Sequence, residues 1–323
     1  MIITVTPNPS VDRTYVADTI LPGGVNRAHE TRVDAGGKGI NVTRALTRNG
    51  FASVAVFPSG GFDGGRLVSA LQDRSVPAHP VDVPGETRSN ITLVDGLGVT
   101  TKINAPGEAM SEESVAQLTA ALVAELDAAA ARGDEPIVVG AGSVPDGAGD
   151  DFYVRVTAAV TARGAKMVVD ASGAPFLHAV RAGGLALVKP NEDELAEVVG
   201  RPLTTVGEVV DAATEVMAMG TEQVLVSLGP HGALLVSPDA VWWAGGPALV
   251  PRSTVGAGDT TLAGYLGAVV SGAAGPQALR QAVAWGRAAV LLPGSAVPAP
   301  EDIDLAEVES MHNPIRSTPL KEL

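Results

Sequence analysis

Short runs of β-branched and aliphatic residues alternate along the chain with longer stretches of helical periodicity. Apolar runs of this length are typical of strands buried on both faces of a sheet. Strands are predicted at Ile2–Val5, Ser53–Phe57, Ile137–Val139, Met167–Val169, Ala186–Val188 and Val224–Val226. Helices are predicted at Gly39–Arg48, Gly64–Gln72, Glu112–Ala131, Phe152–Arg163, Thr205–Met219, Gly258–Val270 and Pro276–Leu292. This alternation predicts an α/β fold with a parallel sheet covered on both faces.

Two segments interrupt the alternation. Asp12–Asp34 and Thr87–Asn104 have no helical period, and Thr87–Val94 and Val99–Asn104 flank Asp95-Gly96-Leu97-Gly98, which favours a hairpin turn. We interpret both segments as a small antiparallel β lid inserted into the α/β core, and the alternative is two separate surface hairpins. The core then comprises residues 1–11, 35–86 and 105–311, the lid comprises 12–34 and 87–104, and the polar tail 312–323 is expected to be loosely ordered.

Composition and charge narrow the function classes. The 323 residues include 22 Lys and Arg against 36 Asp and Glu, for a net charge of −14, which argues against binding to nucleic acid or to an anionic membrane. Cysteine is absent, which excludes disulfides and thiolate chemistry and favours a cytoplasmic location. We expect neither a signal peptide nor a membrane span, because no apolar run reaches about 18 residues. An anionic substrate would need locally placed cations.

The strongest local motif is a glycine-rich turn before an apolar helix, Ser253 to Thr261, which reads STVGAGDTT. Gly256 and Gly258 allow close approach of the backbone, and the unpaired N–H groups of a helix start bind anions. Asp259, in the first turn, fits a dipole-stabilised carboxylate that accepts a hydroxyl proton during phosphoryl transfer. The alternative is a plain helix cap. The motif is not a Walker A loop, and it lacks the third glycine of a dinucleotide fingerprint.

A second glycine-rich segment, Asp34 to Val42, reads DAGGKGINV and also precedes a helix. Lys38 there opposes the helix dipole, a conflict that an anionic ligand would remove. The alternative is an extended, solvated lysine. Asn41 lies one turn further and could bind a sugar hydroxyl or make a local capping contact.

Polar residues of the predicted lid form a third candidate group, namely Asp12, Arg27, Arg88, Asn90, Lys102 and Asn104. Arginine and lysine pair well with phosphate, so converging lid cations would hold an anionic substrate. The alternative is ordinary exposed hairpin charges.

Two further segments follow predicted strands. Asn191 and Glu194, in the sequence KPNEDE, match a capping box, or alternatively lie near Mg²⁺ and its waters. Ser227 to Ala233, SLGPHGA, is interpreted as a turn into a second strand that lines a nucleotide pocket. His231, in that turn, has no assigned catalytic role.

The segments GGKGINV and STVGAGD, in this order and at this spacing, resemble the ribokinase-like (PfkB) carbohydrate kinases. Thr6–Asp12, Thr87–Asn90 and Val188–Asn191 resemble the branch that acts on phosphosugars. The resemblance implies a three-layer αβα core with a small inserted β-sheet lid. It also implies ATP-dependent phosphorylation of a phosphorylated ketohexose, with fructose 1-phosphate expected first and tagatose 6-phosphate or fructose 6-phosphate as alternatives. A non-catalytic sugar-phosphate sensor and a nicotinamide-dependent oxidoreductase are the rivals from other classes.

The resemblance also implies a role for each candidate residue. Asp259 would be the catalytic base, with the N–H groups of Gly256, Ala257 and Gly258 as the anion hole. The substrate would contact Asp12, Arg27, Gly37, Lys38, Asn41, Arg88, Asn90, Lys102 and Asn104. ATP would contact Lys189, Asn191, Glu194, Ser227, Gly229, Gly232, Thr254, Gly256 and Gly258. Asn191 and Glu194 would hold Mg²⁺ through water, and the lid would pair with a second copy in a homodimer.

Overall fold

The structure, a computed structural model, describes residues 1–323 and contains two sheets. The strands are β1 Ile2–Val5, β2 Ser10–Val16, β3 Glu30–Gly36, β4 Ser53–Ser59, β5 Ala78–Asp82, β6 Arg88–Val94, β7 Thr100–Ile103, β8 Ile137–Ala141, β9 Lys166–Asp170, β10 Leu187–Val188, β11 Val224–Ser227, β12 Ala233–Val236, β13 Val241–Gly245 and β14 Glu309–His312. The helices are α1 Lys38–Arg48, α2 Gly61–Gln72, α3 Glu112–Ala131, α4 Phe152–Thr161, α5 Gly173–Ala182, α6 Glu192–Val199, α7 Val206–Ala218, α8 Ala257–Val270 and α9 Gly275–Val290.

The large sheet has ten strands in the order β14-β13-β12-β11-β10-β9-β8-β1-β4-β5. From β11 to β5 in this order, neighbouring strands pair parallel. From β11 to β14, each strand pairs antiparallel with its neighbour. One apolar cluster packs α3 to α7 on one face, and another packs α1, α8 and α9 on the other face. The predicted αβα fold is therefore confirmed, and the carboxyl ends of the parallel strands share one edge.

The second sheet has four strands in the order β3-β2-β6-β7. The predicted hairpin is confirmed, since β6 pairs antiparallel with β7. The prediction that this layer is antiparallel throughout was wrong, because β2 pairs parallel with β6 from Ser10↔Arg88 to Val16↔Val94. The reason is topological: β2 follows β1, β6 follows β5, and β1 and β5 run in the same direction. The chain therefore passes from the large sheet into the small sheet in the same direction at β2 and at β6.

Several elements were absent from the sequence prediction. Strand β5 contains Pro80 and lies at the edge of the large sheet, the position where proline is tolerated in a strand. Helix α5 starts at Gly173 with Pro175 in its first turn, so its amino-terminal residues look like a loop. Strands β13 and β14 extend the antiparallel side of the sheet and are too short to carry a clear period.

The carboxyl-terminal tail is packed, so the expectation of loose order was wrong. The carbonyl of Thr318 accepts a hydrogen bond from Val206 N, and Leu320 N donates to the carbonyl of Thr204. Leu320 and Leu323 pack against the main apolar cluster. These contacts fasten residues 318–323 against the start of α7.

Helix α3 is the one helix of the chain long and apolar enough to cross a membrane by length and composition. Its amino-terminal cap is Ser111, whose hydroxyl accepts a hydrogen bond from Ser114 N. Leu118, Leu122 and Leu126 recur along one face and are buried in the main apolar cluster. This burial is that of a core helix beside the sheet.

Candidate active site

Two glycine-bearing helix starts meet at the carboxyl edge of the large sheet. Helix α1 follows Gly37, at φ 123°, and α8 follows Gly256, at φ 76°, a left-handed conformation that favours glycine. The side chain of Asn41 in α1 donates a 2.8 Å hydrogen bond from Nδ2 to Oδ2 of Asp259 in α8. The two motifs predicted from the sequence are thus joined by a buried hydrogen bond. A Cβ at Gly258 would lie 3.3 Å from Lys189 Nζ, so this part of the turn approaches a cation closely.

The carboxyl group of Asp259 is 7% exposed, and burial raises its pKa to about 6. This pKa of about 6 is the net result: the charge of Asp170 also raises it, and Lys38, Asn41 and Lys189 lower it. The sequence suggested an ordinary ionised Asp stabilised by the helix dipole, and the structure corrects this view because burial dominates. A carboxylate of this pKa is mostly ionised at neutral pH and accepts a proton more readily than a free Asp does.

Asp170, which sequence reasoning missed, organises the cations of the site. It ends β9, is 1% exposed, and accepts a 2.7 Å hydrogen bond at Oδ1 from Lys38 Nζ. Its Oδ2 lies 3.1 Å from Lys189 Nζ. Burial alone would raise the pKa of Asp170, but the two ammonium groups hold it below the ordinary value. The available signal was its place at the carboxyl end of a buried strand, where ligands bind in such sheets.

Lys38 is balanced by carboxylates of the protein itself. Burial opposes its charge, but Asp170, Asp259 and Glu194 together hold the pKa of Lys38 above the ordinary value. Lys38 Nζ also lies 4.0 Å from Glu194 Oε1. The conflict with the helix dipole that pointed to an anionic ligand is therefore already relieved within the chain. About a third of the Lys38 side chain, 34%, remains exposed.

Arg44, also missed, fixes the amide of Asn41. Its Nη1 donates a 2.9 Å hydrogen bond to Asn41 Oδ1 and a 3.1 Å hydrogen bond to the carbonyl of Ala35. Because Oδ1 of Asn41 accepts from a guanidinium, Nδ2 faces Asp259. Arg44 lies one turn beyond Asn41, a spacing that any helix contains, so no sequence motif marked it.

Asp12 and Asn90 lie side by side on the paired strands β2 and β6. Asn90 Nδ2 donates to Asp12 Oδ1 at 3.0 Å, and Ser10 Oγ donates to the same oxygen at 2.7 Å. A Cβ at Gly36 would overlap the Asp12 carboxylate, so the start of the second glycine motif lies against it. The structure therefore brings Asp12 and Asn90 next to the α1 start.

Arg88 is half-buried and already bonded to the backbone. Its Nη1 donates to the carbonyl of Ala105 at 2.7 Å, and its Nη2 donates to that of Asn8 at 3.1 Å. Its Nε is buried without a partner, and burial lowers the pKa of the group while Asp12 opposes the change. The side chains of Arg27, Lys102 and Asn104 are exposed and form neither an ion pair nor a hydrogen bond.

Asn191 and Glu194 form the capping box of α6. Asn191 Oδ1 accepts from Glu194 N at 2.7 Å, and Glu194 Oε2 accepts from Asn191 N at 2.9 Å. Neither side chain belongs to a group of three or more His, Asp or Glu that could hold a metal directly. Glu194 Oε1, which faces Lys38, is outside the capping box. One carboxylate oxygen at the site fits Mg²⁺, which keeps most of its waters and takes phosphate oxygens as ligands.

The remaining nucleotide candidates flank the end of β11. Ser227 forms a β-bridge with Asn191, which brings the SLGPHGA turn beside the α6 start. Gly229 and Gly232 have positive φ values of 55° and 87°. Thr254, in the loop before α8, is exposed.

The arrangement defines a class of enzyme. A buried carboxylate of raised pKa faces two lysines and a glycine-rich helix start, at the edge of an α/β sheet where ligands bind. Free backbone N–H groups and cations stabilise a transferring phosphoryl group, and a carboxylate receives the acceptor proton. These are the elements of a phosphotransferase with an alcohol group as acceptor.

The family profile "pfkB family carbohydrate kinase" matches residues 6–302, and the chain belongs to this family. It is 37% identical to 1-phosphofructokinase of Xanthomonas campestris pv. campestris, over 84% of this chain and 85% of the relative. It is 35% identical to ATP-dependent 6-phosphofructokinase isozyme 2 of Escherichia coli, over 93% of this chain and 96% of the relative. The crystal structure of Escherichia coli phosphofructokinase-2 in complex with potassium matches with TM-score 0.86 and 33% identity, over 93% of this chain and 96% of that chain.

Proposed function

We propose that the chain is an ATP-dependent phosphosugar kinase that converts fructose 1-phosphate into fructose 1,6-bisphosphate. The observation that carries the chemistry is the buried Asp259 carboxylate, held by Asn41 in the gap between the two helix starts. Fructose 1-phosphate is proposed because several relatives at 35–37% identity are named 1-phosphofructokinase. Fructose 6-phosphate is the second candidate, since a relative named for that activity covers 93% of the chain.

In this mechanism Asp259 accepts the proton of the attacking sugar hydroxyl. The hydroxyl oxygen forms a bond to the γ-phosphorus of ATP, the bond from that phosphorus to the bridging oxygen breaks, and ADP leaves. The N–H groups of Gly256, Ala257 and Gly258 bind the transferring oxygens. Lys38 and Lys189 neutralise charge beside them. Since the transition state of phosphoryl transfer is loose, this positioning contributes more than basicity does.

Mg²⁺ would be held at Asn191 and Glu194 through water, and it supplies neutralisation of the phosphate charges. The capping box keeps the Glu194 carboxylate in place for this task while its Oε1 faces Lys38. Ser227, Gly229, Gly232 and Thr254 would line the path of ATP.

Asp12, Gly37, Asn41 and Asn90 would bind the sugar, because they surround the start of α1. Arg88, Arg27 and Lys102 would hold the phosphate already on the sugar, together with Asn104. In the small sheet Lys102 is paired with Thr92, and Thr92 is paired with Thr14. Paired residues lie on the same face, and so do residues two apart in one strand, so Lys102 shares a face with Asp12 and Asn90. For Arg88 the support is its unpartnered Nε.

The small sheet would act as a lid and as the contact between two copies of the chain. Its face opposite Asp12 carries Tyr15, Val33 and Ile103, which are 36%, 40% and 55% exposed. On the same face, Arg13 lies between Val33 and Ile91, and its charge is paired with Asp63 at 2.7 Å. Exposed apolar groups on one sheet face favour association with a second copy. A cytoplasmic location is proposed because the chain lacks cysteine.

The direct test is ADP release by the purified chain with ATP and Mg²⁺, measured across fructose 1-phosphate, fructose 6-phosphate, tagatose 6-phosphate and unphosphorylated fructose. We expect the largest kcat/KM with fructose 1-phosphate. A larger value with fructose 6-phosphate would assign the second candidate. No ADP release with any sugar, together with tight binding of a sugar phosphate, would indicate a sensor and refute the kinase proposal.

A further inference from the structure

A cavity with mostly polar lining residues lies beside the carboxyl-terminal half of α1. It has a volume of about 560 Å³ and is lined by Asp34, Arg44, Thr47, Arg48, Arg74, Ser75, Val76, Ala296 and Val297. The lining comes from β3, α1, the turn after α2 and the loop after α9. None of these residues except Arg44 touches Asn41 or Asp259 through a hydrogen bond.

The lining carries more positive than negative charge. It contains three arginines and one carboxylate, Asp34, whose Oδ1 lies 3.5 Å from Arg74 Nη2. That pair leaves two guanidinium groups without a carboxylate in the cavity. Such an excess is unusual in a chain of net charge −14, so the cations are gathered here locally.

Arg44 is the most deeply buried cation in the lining of this cavity. The residue is 4% exposed, and its Nε is buried without a hydrogen-bond partner. Burial lowers the pKa of the guanidinium, Asp34 opposes this, and Arg74 adds to it. The Nη1 group of Arg44 makes every side-chain hydrogen bond of this residue, which leaves its Nη2 group to donate to an anion in the cavity.

We propose that this cavity binds a small molecule through a phosphate group, held by Arg44, Arg48 and Arg74. An arginine guanidinium can donate two parallel hydrogen bonds to two oxygens of a phosphate. The three arginines of the lining carry more positive charge than the single carboxylate of Asp34 neutralises. Arg44 links the two sites, because its Nη1 holds the Asn41 amide that contacts Asp259. Occupancy of the cavity therefore acts on the residue that orients the proposed base.

The test is a calorimetric titration with pyrophosphate, in buffer without Mg²⁺ and without substrates. The variant R48Q/R74Q removes two cavity cations, and the matched control R66Q/R181Q removes two exposed arginines outside the cavity. Any pyrophosphate bound at the active site contributes equally to both proteins. We expect R48Q/R74Q to bind pyrophosphate about tenfold or more weakly than the control. A change of this size corresponds to the loss of one or two charge-assisted hydrogen-bonded pairs.

Equal affinity in R48Q/R74Q and in the control would overturn the proposal. Arg48 is exposed and Arg74 half-exposed, so both variants are expected to keep the melting temperature of the parent chain. If the double variant does not fold, the single R48Q against R66Q decides the matter by the same criterion. Because the titration uses neither ATP nor sugar, its outcome is separate from that of the kinase assay.

Discussion

At the scale of single residues, the site is a chain of alternating charges. Lys189, Asp170 and Lys38 are joined by contacts of 3.1 and 2.7 Å, and Asp259 lies within their electrostatic field. The lysines hold Asp170 ionised, while burial and Asp170 raise the pKa of Asp259. Two carboxylates of the same site are thus driven in opposite directions by their surroundings, a pattern typical of proton-transfer sites.

Replacing the proposed base tests the mechanism directly. We expect D259N to lower kcat by about 10²–10⁴, the usual contribution of a general base, with little change in KM. The matched control is D127N, since Asp127 forms an exposed ion pair with Arg163 on the far surface. Near-normal kcat in a folded D259N would exclude Asp259 as the base.

The pH dependence of kcat/KM reports the same carboxylate in the free enzyme. Because Asp259 must be unprotonated to accept a proton, activity is expected to fall as the pH drops through about 6. In D170N the charge that helps raise this pKa is gone, so the acid limb should move to lower pH. A profile whose acid limb is the same in both proteins would contradict the coupling between the two carboxylates.

The same variant should lose stability. Asp170→Asn leaves two lysines without their buried partner, a change that costs about 3–5 kcal/mol in comparable pairs. Urea unfolding of D170N and D127N at neutral pH measures the difference, and the exposed Asp127 pair is expected to contribute less than about 1 kcal/mol. Equal losses in the two variants would mean that the lysines find other partners.

At the scale of elements, the sequence was most informative where one element follows a strong local rule. Helix α3 was predicted with its observed bounds because its cap and its apolar face coincide. The two glycine-bearing starts were found because glycine is required where φ is positive. Asp170 escaped detection because its role arises from contacts with Lys38 and Lys189, on other segments of the chain. Arg44 escaped detection because its contact with Asn41 has a spacing that every helix contains.

The N-cap of α6 can be tested for a role in nucleotide binding beyond its role as a helix cap. Asn191 and Ser111 are both N-caps whose side chains accept an N–H bond three residues on. N191A and S111A should therefore each lose about 1 kcal/mol of stability. Only N191A is expected to raise the KM for ATP, since the Ser111 side chain bonds only to Ser114 and to none of the proposed nucleotide residues. Equal KM values for ATP in the two variants would mean that Asn191 acts only as a helix cap.

At the scale of the whole molecule, the small sheet separates two surfaces. One face carries Asp12 and Asn90 toward the site, and the other carries Tyr15, Val33 and Ile103 in the register that β-sheet pairing imposes. The overall α/β order was predictable because the central strands β1, β4, β8, β9, β10 and β11 each contain a mostly apolar run. The parallel pairing of β2 with β6 was not, since it depends on where the core places the ends of β1 and β5.

If the apolar face joins two copies, charge placed on it should separate them. V33D/I103D is expected to sediment as a monomer where the parent chain sediments as a dimer, with a matched control in L305D/I315D, whose parent residues are exposed apolar side chains outside the small sheet. Burying an unpaired carboxylate at an interface is strongly unfavourable. A dimer that persists in V33D/I103D would place the contact elsewhere.

The parallel pairing of β2 with β6 also restricts how the small sheet can move. Its two central strands come from separate excursions of the chain, and the sheet is anchored to the core near residues 10, 36, 88 and 103. Lifting only one hairpin would break every backbone bond along the Ser10–Val16 pairing at once. If the small sheet moves as the proposed lid, the pairing favours a tilt of all four strands together, so entry and exit of ligands would follow a single concerted motion.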